Sequence, residues 1–273
     1  MVYAGIFRSN SAAALRSGDL ASTRGSPPLW LTESIRAFVQ GENLLKTVGV
    51  SGINSVILHM KNKLQIEYSG IIPYETAFRR QLELHEMRVS DRIPDTLLLL
   101  EHPHVYTLGR HARKENLVWT EPERQVHKVE VQQTDRGGDV TYHGPGQLVG
   151  YPIIKLTERG LLPRRMVEWV ENSVIQTLEA FGIKAGIHPD YPGVWVDEAK
   201  ICAIGMRIRE GVSYHGFALN VSTDLSYFAG IVPCGISDKH VCSMESVLGE
   251  HTDILEVRET LSVIAAKLLP GIP

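Results

Sequence analysis

Three strand-like runs follow one another in residues 193–221, whose sequence is GVWVDEAKICAIGMRIREGVSYHGFALNV. The turn-prone pairs Asp197-Glu198 and Glu210-Gly211 separate these runs. The runs are rich in the aliphatic and aromatic residues that strands prefer. The pattern therefore predicts three consecutive strands: Gly193 to Val196, Lys200 to Ile208 and Ser213 to Val221.

Further strands and helices are predicted on both sides of this stretch. Alternating or wholly apolar runs predict strands at Leu64 to Tyr68, Thr96 to Leu100 and Val129 to Val131. Apolar residues at helical spacing predict helices that begin at Tyr74, at Pro163 and near Val257. Because strands and helices do not alternate strictly, we expect an α+β fold, with helices packed on a mixed or antiparallel sheet.

Composition limits the kind of protein this chain can be. Of its 273 residues, 43% are hydrophobic and 22% are charged, which fits one compact catalytic domain. A formal charge of −3 gives no global basic field, so we expect no nucleic-acid partner. The sequence has no apolar stretch of about 18 residues, so we expect no membrane partner.

The cysteines indicate a reducing compartment, and we expect a cytoplasmic protein. Cys202, Cys234 and Cys242 are too few and odd in number for a disulfide framework. Their spacing also fits no common zinc site, so we expect no metal.

Residues 1–59 differ in composition from the remainder of the chain. Serine, alanine, glycine and arginine dominate their beginning, and no long periodic segment follows. We expect residues 1–59 to be a poorly ordered extension and residues 60–273 to be the folded catalytic domain. The extension is either a mitochondrial transit segment or the product of a start codon upstream of a true start at Met60.

The densest glycine cluster is residues 136–147, RGGDVTYHGPGQ. Glycine lets a backbone approach a ligand closely, and Arg136 and His143 offer hydrogen-bond donors. The segment therefore indicates a loop that cradles a ligand. A hairpin with an ordinary glycine-rich turn is the alternative. The pattern is not that of a P-loop.

Cys234 lies between a proline and a glycine in the sequence VPCGI, which predicts a tight turn that presents its sulfur. A lone cysteine is more often a buried apolar residue. A nucleophilic thiol needs a nearby base or cation, because its ordinary pKa of about 8.5 keeps it mostly protonated at neutral pH. The candidates for this partner are Lys200, His143, His215 and His240.

Lys200 begins the otherwise apolar run KICAIG, where burial would suit it to proton transfer. A lysine that ends a strand in solvent is the alternative.

Five segments, in this order, resemble the lipoyl(octanoyl) transferases of the biotin/lipoate protein ligase superfamily. The resemblance runs from about Met60 to the C-terminal helix. It implies the α+β catalytic domain of that superfamily. The five segments are EHPHVYTLGR (101–110), RGGDVTYHGPGQ (136–147), KICAIG (200–205), SYHGFALN (213–220) and PCGI (233–236).

The resemblance implies an acyltransferase that acts in protein lipoylation. It would move an octanoyl group from octanoyl-acyl carrier protein, through a thioester on Cys234, to the lysine amine of lipoyl domains. These domains belong to 2-oxoacid dehydrogenase complexes and to the glycine cleavage H protein. Lys200 would be the acid/base residue that lowers the pKa of the thiol. No cofactor and no ATP would be needed, because a thioester is already activated, and we expect a monomer.

The resemblance also implies which residues bind the acyl substrate. They come from the glycine-rich segment and from two of the predicted strands. They are Arg136, Gly137, Gly138, Asp139, Val140, Thr141, Tyr142, His143, Ala203, Ile204, Gly205, Gly216, Phe217 and Ala218.

Three other functions remain open at the level of sequence. An ATP-dependent lipoate or biotin protein ligase would share the fold but needs no nucleophilic cysteine. A non-catalytic module would bind lipoyl domains or carrier proteins without chemistry. A cysteine hydrolase would pair Cys234 with His215. For the acidic carrier protein, the candidate docking residues are Arg79, Arg80, Arg110, Arg113 and Lys114.

Overall fold

The computed structural model describes residues 46–50, 53–59, 64–232 and 240–271. Cys234 and the turn predicted around it lie outside the described residues. Within these ranges the elements are, in chain order, β1 (Lys46–Val50), β2 (Ile53–His59), β3 (Leu64–Ile71), α1 (Tyr74–Val89), β4 (Asp95–Glu101), β5 (Val105–Leu108), α2 (Glu121–Val126), β6 (Glu130–Gln133), β7 (Val140–His143), β8 (Gln147–Ile153), α3 (Pro163–Ala180), β9 (Gly186–Ile187), β10 (Val194–Val196), β11 (Ala199–Arg209), β12 (Val212–Asn220), β13 (His240–Val241), α4 (Met244–Leu248) and α5 (Ile254–Leu268).

The strands form two mixed sheets. The large sheet has the order β1-β2-β3-β4-β8-β12-β11-β10-β9, and β13 pairs with β11. The pairs β3–β4 and β11–β13 are parallel, and the other pairs of the large sheet are antiparallel. The small sheet has the order β6-β5-β7. The predicted α+β class, with helices on a mixed sheet, is confirmed.

Helices cover both faces of the large sheet. Trp169 and Val174 of α3 and Leu261 of α5 are buried against one face. On the other face, Ala77 and Leu84 of α1 pack against strands β4, β8 and β12. Strand β8 is buried along its whole length, as expected of a central strand covered on both sides. Among the described helices, none has the length and apolar character that crossing a bilayer requires.

The three strands predicted in residues 193–221 are observed as β10, β11 and β12. Their antiparallel register pairs Ala203 with Ala218 and Gly205 with Gly216. Helix α3 begins at Pro163, where proline is well tolerated. Gly182, which adopts a φ of +79°, follows its end.

The predicted boundary at residue 60 does not coincide with the edge of the sheet. Strands β1 and β2 belong to the predicted extension, yet β2 pairs antiparallel with β3 from Val56 to His59. The sequence prediction missed this pairing because it grouped residues 46–59 with the serine- and glycine-rich residues that precede them. Residues 1–45 and Met60 lie outside the described residues.

Two glycines let the central strands approach each other. A Cβ at Gly216 would lie 2.0 Å from the carbonyl oxygen of Gly150. A Cβ at Gly150 would lie 2.2 Å from the ring of Phe217. Larger residues at either position would force β8 and β12 apart.

Asp95 holds together a buried ionic cluster at the start of β4. Its carboxylate accepts hydrogen bonds from Nε of Arg88 at 2.7 Å and from Nε of Arg159 at 2.5 Å. It also accepts from the N–H of Lys155 at 2.9 Å. Asp91 contacts Arg88 and Lys155 from the exposed side of the same cluster.

We predict that Asp95→Asn lowers the free energy of unfolding by about 3 kcal/mol, because it removes the charged partner that the buried guanidinium groups of Arg88 and Arg159 share. The matched variant is Asp91→Asn. Asp91 has a left-handed backbone conformation, which asparagine tolerates, so this variant should leave the free energy of unfolding nearly unchanged. Urea unfolding measures both changes. Equal losses in the two variants would contradict the assignment of Asp95 as the centre of the cluster.

Candidate active site

A cavity of about 750 Å³ lies beside strand β11. The glycine-rich segment, β11 and β12 supply most of its wall, and Tyr74 of α1 and Val167 of α3 also contribute. Of the residues predicted to bind the substrate or act in catalysis, those that line it are Lys200, Arg136, Gly137, Gly138, Asp139, Val140, Thr141, His143, Ala203, Ile204, Gly205, Gly216, Phe217 and Ala218.

Tyr142 is the described residue of the predicted set that does not line the cavity. Its side chain is fully buried between the small sheet and the residues that precede Ile231. Its hydroxyl is 2.8 Å from Nδ1 of His104, and its ring stacks on Tyr227. Side chains alternate between the two faces of a strand, so Tyr142 points away when its neighbours Thr141 and His143 face the cavity. The structure therefore places the Tyr142 side chain in this packed cluster and outside the cavity wall.

The loop at residues 136–138 lies backbone to backbone against β11. The N–H of Gly137 donates to the carbonyl oxygen of Met206 at 3.4 Å. A Cβ at Gly205 would lie 2.9 Å from the carbonyl oxygen of Gly137. Gly138 has a φ of +86°, which side chains rarely permit. Glycine is thus required where the loop turns and where it touches the strand.

Asp139 organises the neighbouring backbone. Its carboxylate accepts from the N–H of Val140 at 2.7 Å and from the N–H of Arg113 at 3.2 Å. It also accepts from the side-chain amide of Asn116 at 2.5 Å. The carboxylate therefore ties the glycine-rich segment to the loop that carries Arg113.

Arg136 is buried and fixed by Thr107 of β5. Its Nη2 donates to the carbonyl oxygen of Thr107 at 2.5 Å, and its Nε donates to the Thr107 hydroxyl at 3.1 Å. Its Nη1 donates to the carbonyl oxygen of Gly137 at 2.9 Å. Since the Thr107 oxygen accepts from Arg136, its own proton is available to His143, whose Nε2 lies 3.3 Å away.

The hydrogen bonds beyond His143 have one consistent direction. The side-chain amide of Gln147 donates to Oδ1 of Asn220 at 2.9 Å and to the carbonyl oxygen of Tyr142 at 3.2 Å. Its Oε1 must therefore accept from Nδ1 of His143, 2.8 Å away. Asn220 in turn donates to the carbonyl oxygen of Cys242 at 2.9 Å. We call this series, from Arg136 through Thr107, His143, Gln147 and Asn220 to Cys242, the polar relay.

The polar relay holds His143 in the neutral form. Burial, followed by the charges of His102 and Arg136, lowers the pKa of His143 well below its ordinary value. Both ring nitrogens are engaged, Nδ1 as donor and Nε2 as acceptor. Neither ring nitrogen of His143 is therefore open to act as a base in this structure.

His102 and His215 are also neutral. Burial lowers the pKa of each imidazole to about 4. Nδ1 of His102 contacts the carbonyl oxygen of Ile72, so its Nε2 accepts from the hydroxyl of Tyr151 at 2.7 Å. Nε2 of His215 donates to Oδ1 of Asp135 at 2.7 Å.

Lys200 lines the cavity at the start of β11. Its Nζ lies 4.9 Å from the centre of the Trp195 ring, an arrangement that attracts an ammonium group to the π face. Its backbone pairs with Trp195 of β10 and with Val241 of β13. The N–H of Cys242 donates to the carbonyl oxygen of Lys200 at 3.1 Å.

The described residues on either side of positions 233–239 are anchored at the cavity wall. The N–H of Val232 donates to the carbonyl oxygen of Asn116 at 2.8 Å, and Asn116 lines the cavity. Val241 pairs with Lys200, which also lines it.

The two described cysteines are poor nucleophiles. Burial raises the pKa of the Cys202 thiol, whose side chain has no exposed surface. Burial likewise raises the pKa of Cys242 to about 11. Thiols that stay protonated at neutral pH react slowly.

Several cavity residues were not predicted from the sequence. Tyr74, Tyr151 and Val167 give no local signal, because their packing onto the cavity depends on distant parts of the chain. Thr107 and Asn220, which belong to the polar relay, lie within the segments 101–110 and 213–220, and their presence in those segments is the sequence signal that could have identified them.

In the part of the chain that the structure describes, no group of three or more His, Cys, Asp or Glu side chains is arranged to hold a metal ion.

The comparisons with known proteins agree on one family. The model of the lipoyl protein ligase A/B catalytic domain matches residues 73–264. An octanoyltransferase of Alkaliphilus metalliredigens is 47% identical over 191 residues, which are 70% of this chain and 88% of that protein. An octanoyltransferase of Rubrobacter xylanophilus is 50% identical over 196 residues, 71% of this chain and 88% of that protein.

The fold has solved relatives. The structure of a bipartite lipoate protein ligase of Thermoplasma acidophilum aligns with a TM-score of 0.58 and 19% identity. The alignment covers 77% of this chain and 84% of that chain. This confirms the predicted catalytic-domain fold.

We predict that the neutral histidines make stability depend on pH. Between about pH 6.5 and pH 4 the unfolded chain protonates His102 and His215, but the folded chain does not. The stability they contribute is thus complete above pH 6.5 and is lost as pH falls, by at most roughly 1.4 kcal/mol per pH unit for each histidine.

Urea unfolding at several pH values measures this slope, and His102→Gln should remove the part that one histidine contributes. A free energy of unfolding that stays constant from pH 6.5 to 4.5 would show that these imidazoles are not held neutral.

Proposed function

The chain belongs to the lipoyl protein ligase A/B catalytic-domain family, and we propose that its octanoyl transfer uses Cys234 as covalent nucleophile and Lys200 as acid and base. Octanoyl transfer itself is a step of protein lipoylation, and the curated relatives that share nearly half of this sequence are octanoyltransferases. The observation that carries the proposal is that one cavity brings Lys200 together with the segments predicted to bind an acyl chain.

The cavity suits an alkyl chain. Its volume falls within the usual range of small-molecule sites, and Ala203, Ile204, Phe217 and Ala218 give it apolar walls. Its buried histidine His143 is neutral and already hydrogen-bonded, so an apolar chain beside it leaves no charge unpaired.

Among Lys200, His143 and His215, Lys200 is the best candidate for the base. His143 and His215 are held neutral with low pKa values, and their ring nitrogens Nδ1 and Nε2, respectively, donate to fixed partners. The face of Trp195 offers a resting place for the ammonium group that forms when Lys200 takes a proton. The anchoring of Val232 at Asn116 supports the assignment, since Cys234 follows Val232 by two residues.

The reaction has two halves. Lys200 takes the thiol proton of Cys234, and the thiolate attacks the thioester carbonyl of the donor. The carrier thiolate leaves and takes this proton from Lys200, and the octanoyl group remains on Cys234. The amine of the target lysine then attacks this thioester, Lys200 accepts a proton from it, the amide forms as the Cys234 thiolate departs, and Lys200 returns the proton to that thiolate. No cofactor takes part, because the donor thioester supplies the activated acyl group.

The protein substrates follow from the same chemistry. Lipoyl domains are the acceptors, and we assign octanoyl-acyl carrier protein as the donor. The chain acts as a monomer, and its site of action is the cytoplasm unless residues 1–59 direct it to mitochondria.

The proposed docking surface for the acidic carrier consists of Arg110, Arg113 and Lys114. All three side chains are exposed, and Arg113 also lines the cavity.

Arg80 does not belong to that surface. Its guanidinium is buried and forms two hydrogen bonds with the carboxylate of Glu67, at 3.0 and 2.8 Å. Its charge is therefore compensated inside the protein. Arg79 is exposed, but it lies on α1 and pairs with Glu75.

The intact mass of the protein after incubation with octanoyl-acyl carrier protein, without ATP, tests the proposal. We predict a gain of one octanoyl group in the wild type and in Cys242→Ala, and no gain in Cys234→Ala. Lys200→Met should slow formation of the adduct about 100-fold or more. Addition of an apo lipoyl domain should discharge the wild-type adduct.

Two results would contradict the proposal. One is the absence of any adduct on folded wild-type protein that transfers octanoyl groups. The other is transfer that requires ATP and free octanoate, which would identify a ligase.

Reversal of charge on the proposed docking surface should weaken carrier binding. We predict that the double variant Arg113→Glu/Lys114→Glu raises KM for octanoyl-acyl carrier protein about tenfold at low salt, with kcat little changed. The difference should shrink at high ionic strength, which screens exposed charges. The control is Arg79→Glu on α1. If Arg79→Glu has the larger effect, the carrier docks elsewhere.

A further inference from the structure

Two consecutive residues of β12 bind the same carboxylate. The hydroxyl of Tyr214 donates to Oδ2 of Asp135 at 2.7 Å, and Nε2 of His215 donates to Oδ1 at 2.7 Å. Consecutive side chains of a strand normally point to opposite faces of the sheet. His215 departs from this rule because its φ is +54°, in the left-handed region that residues other than glycine rarely adopt.

The unusual conformation of His215 is held from a second side by α1. The imidazole stacks on Phe78 with ring centres 5.3 Å apart and planes 8° from parallel. The N–H of His215 donates to Oε1 of Gln81 at 2.9 Å. Strained backbone persists where surrounding contacts fix it, and it is concentrated at functional positions.

Asp135 connects this arrangement to the cavity. It directly precedes Arg136, Gly137 and Gly138, all of which line the cavity. It also accepts from Nη1 of Arg207 on β11 at 2.8 Å. The carboxylate thus joins the start of the loop to both strands that form the opposite wall.

The wall opposite the loop contains four small residues beside larger ones such as Ile204 and Phe217. Ala203 pairs with Ala218, and Gly205 pairs with Gly216, across β11 and β12. Since these four residues have almost no side chain, the position of the loop affects the room in the part of the cavity beside them. The loop already approaches contact distance at Gly205, where a Cβ would meet the Gly137 carbonyl at 2.9 Å.

We propose that His215 is a positioning residue which, through Asp135, sets the distance between residues 136–138 and strand β11 and thereby the length of acyl chain that the cavity accepts. This inference rests on the proposed octanoyl transfer and adds to it the determinant of chain-length selectivity.

The test compares His215→Asn, Asp135→Ala and the double variant with the wild type. Asparagine tolerates a left-handed backbone but is too short to reach Asp135, so His215→Asn removes the contact while preserving the local fold. Tyr214→Phe is the matched control, because it removes the other hydrogen bond to Asp135 and leaves the histidine in place.

Two measurements are made on each variant. Amide hydrogen exchange at Gly137, whose N–H donates to Met206 of β11, should be about tenfold faster in both single variants and no faster still in the double variant, with β8 unchanged. The ratio of kcat/KM for octanoyl to that for dodecanoyl carrier substrates should fall about tenfold, whereas simple loss of folded protein lowers both values equally. Tyr214→Phe should change both measurements less.

Unchanged exchange in the single variants would overturn the proposal, and so would faster exchange with an unchanged octanoyl-to-dodecanoyl ratio. Additive effects in the double variant would show that the two residues act separately and would overturn it as well. If the wild type transfers no octanoyl group, the proposed function fails. The exchange data then still test the role of His215, with calorimetric binding of octanoate and dodecanoate in place of the kinetic ratio.

Discussion

The polar relay from Arg136 to the carbonyl oxygen of Cys242 is the interaction on which the site depends. It passes from the small sheet through Thr107 and His143 to the large sheet at Gln147 and Asn220. Each step has one possible direction, because backbone carbonyl oxygens accept and cannot donate. The relay therefore joins the two sheets around the cavity and fixes the tautomer of the histidine between them.

The relay also explains how a cavity with polar residues can hold an apolar chain. A buried polar group is costly when it lacks a partner, and a half-satisfied network is worse than an apolar wall. His143 and Arg136 have fixed partners, and His102 is neutral and bonded to Tyr151. His143 and Arg136 therefore leave no unpaired charge beside an apolar chain, and the proposed proton transfers take place near Lys200.

Local patterns predicted much of the fold. Strands β10, β11 and β12 and helix α3 follow from hydrophobic periodicity and from proline and glycine at their ends. Strands β1 and β2 were not predicted, because residues 46–59 were grouped with the serine- and glycine-rich residues that precede them. Arg80 was placed on a docking surface because its partner Glu67 lies on another element and gives no local signal.

In the candidate site, too, local sequence predicted some residues, and others depend on contacts between distant parts of the chain. The glycine-rich segment and the segments around Lys200 were identifiable from their residues, and the structure gathers them at one cavity. A prediction that treated the segment 136–143 as one unit assigned Tyr142 to the cavity, whereas strand alternation turns it away. The left-handed backbone of His215 has no local signal either, because contacts with Asp135 and Phe78 impose it.

The most direct test of covalent octanoyl transfer is a rapid-quench measurement of the thiol released from octanoyl-acyl carrier protein, with neither acceptor nor ATP present. A Cys234 thioester intermediate predicts a fast burst of about one equivalent of carrier thiol per enzyme and then almost none, because the octanoyl group stays on Cys234 until an amine attacks. Continuous release of thiol would indicate a hydrolase. No release until a lipoyl domain is added would contradict the thioester intermediate.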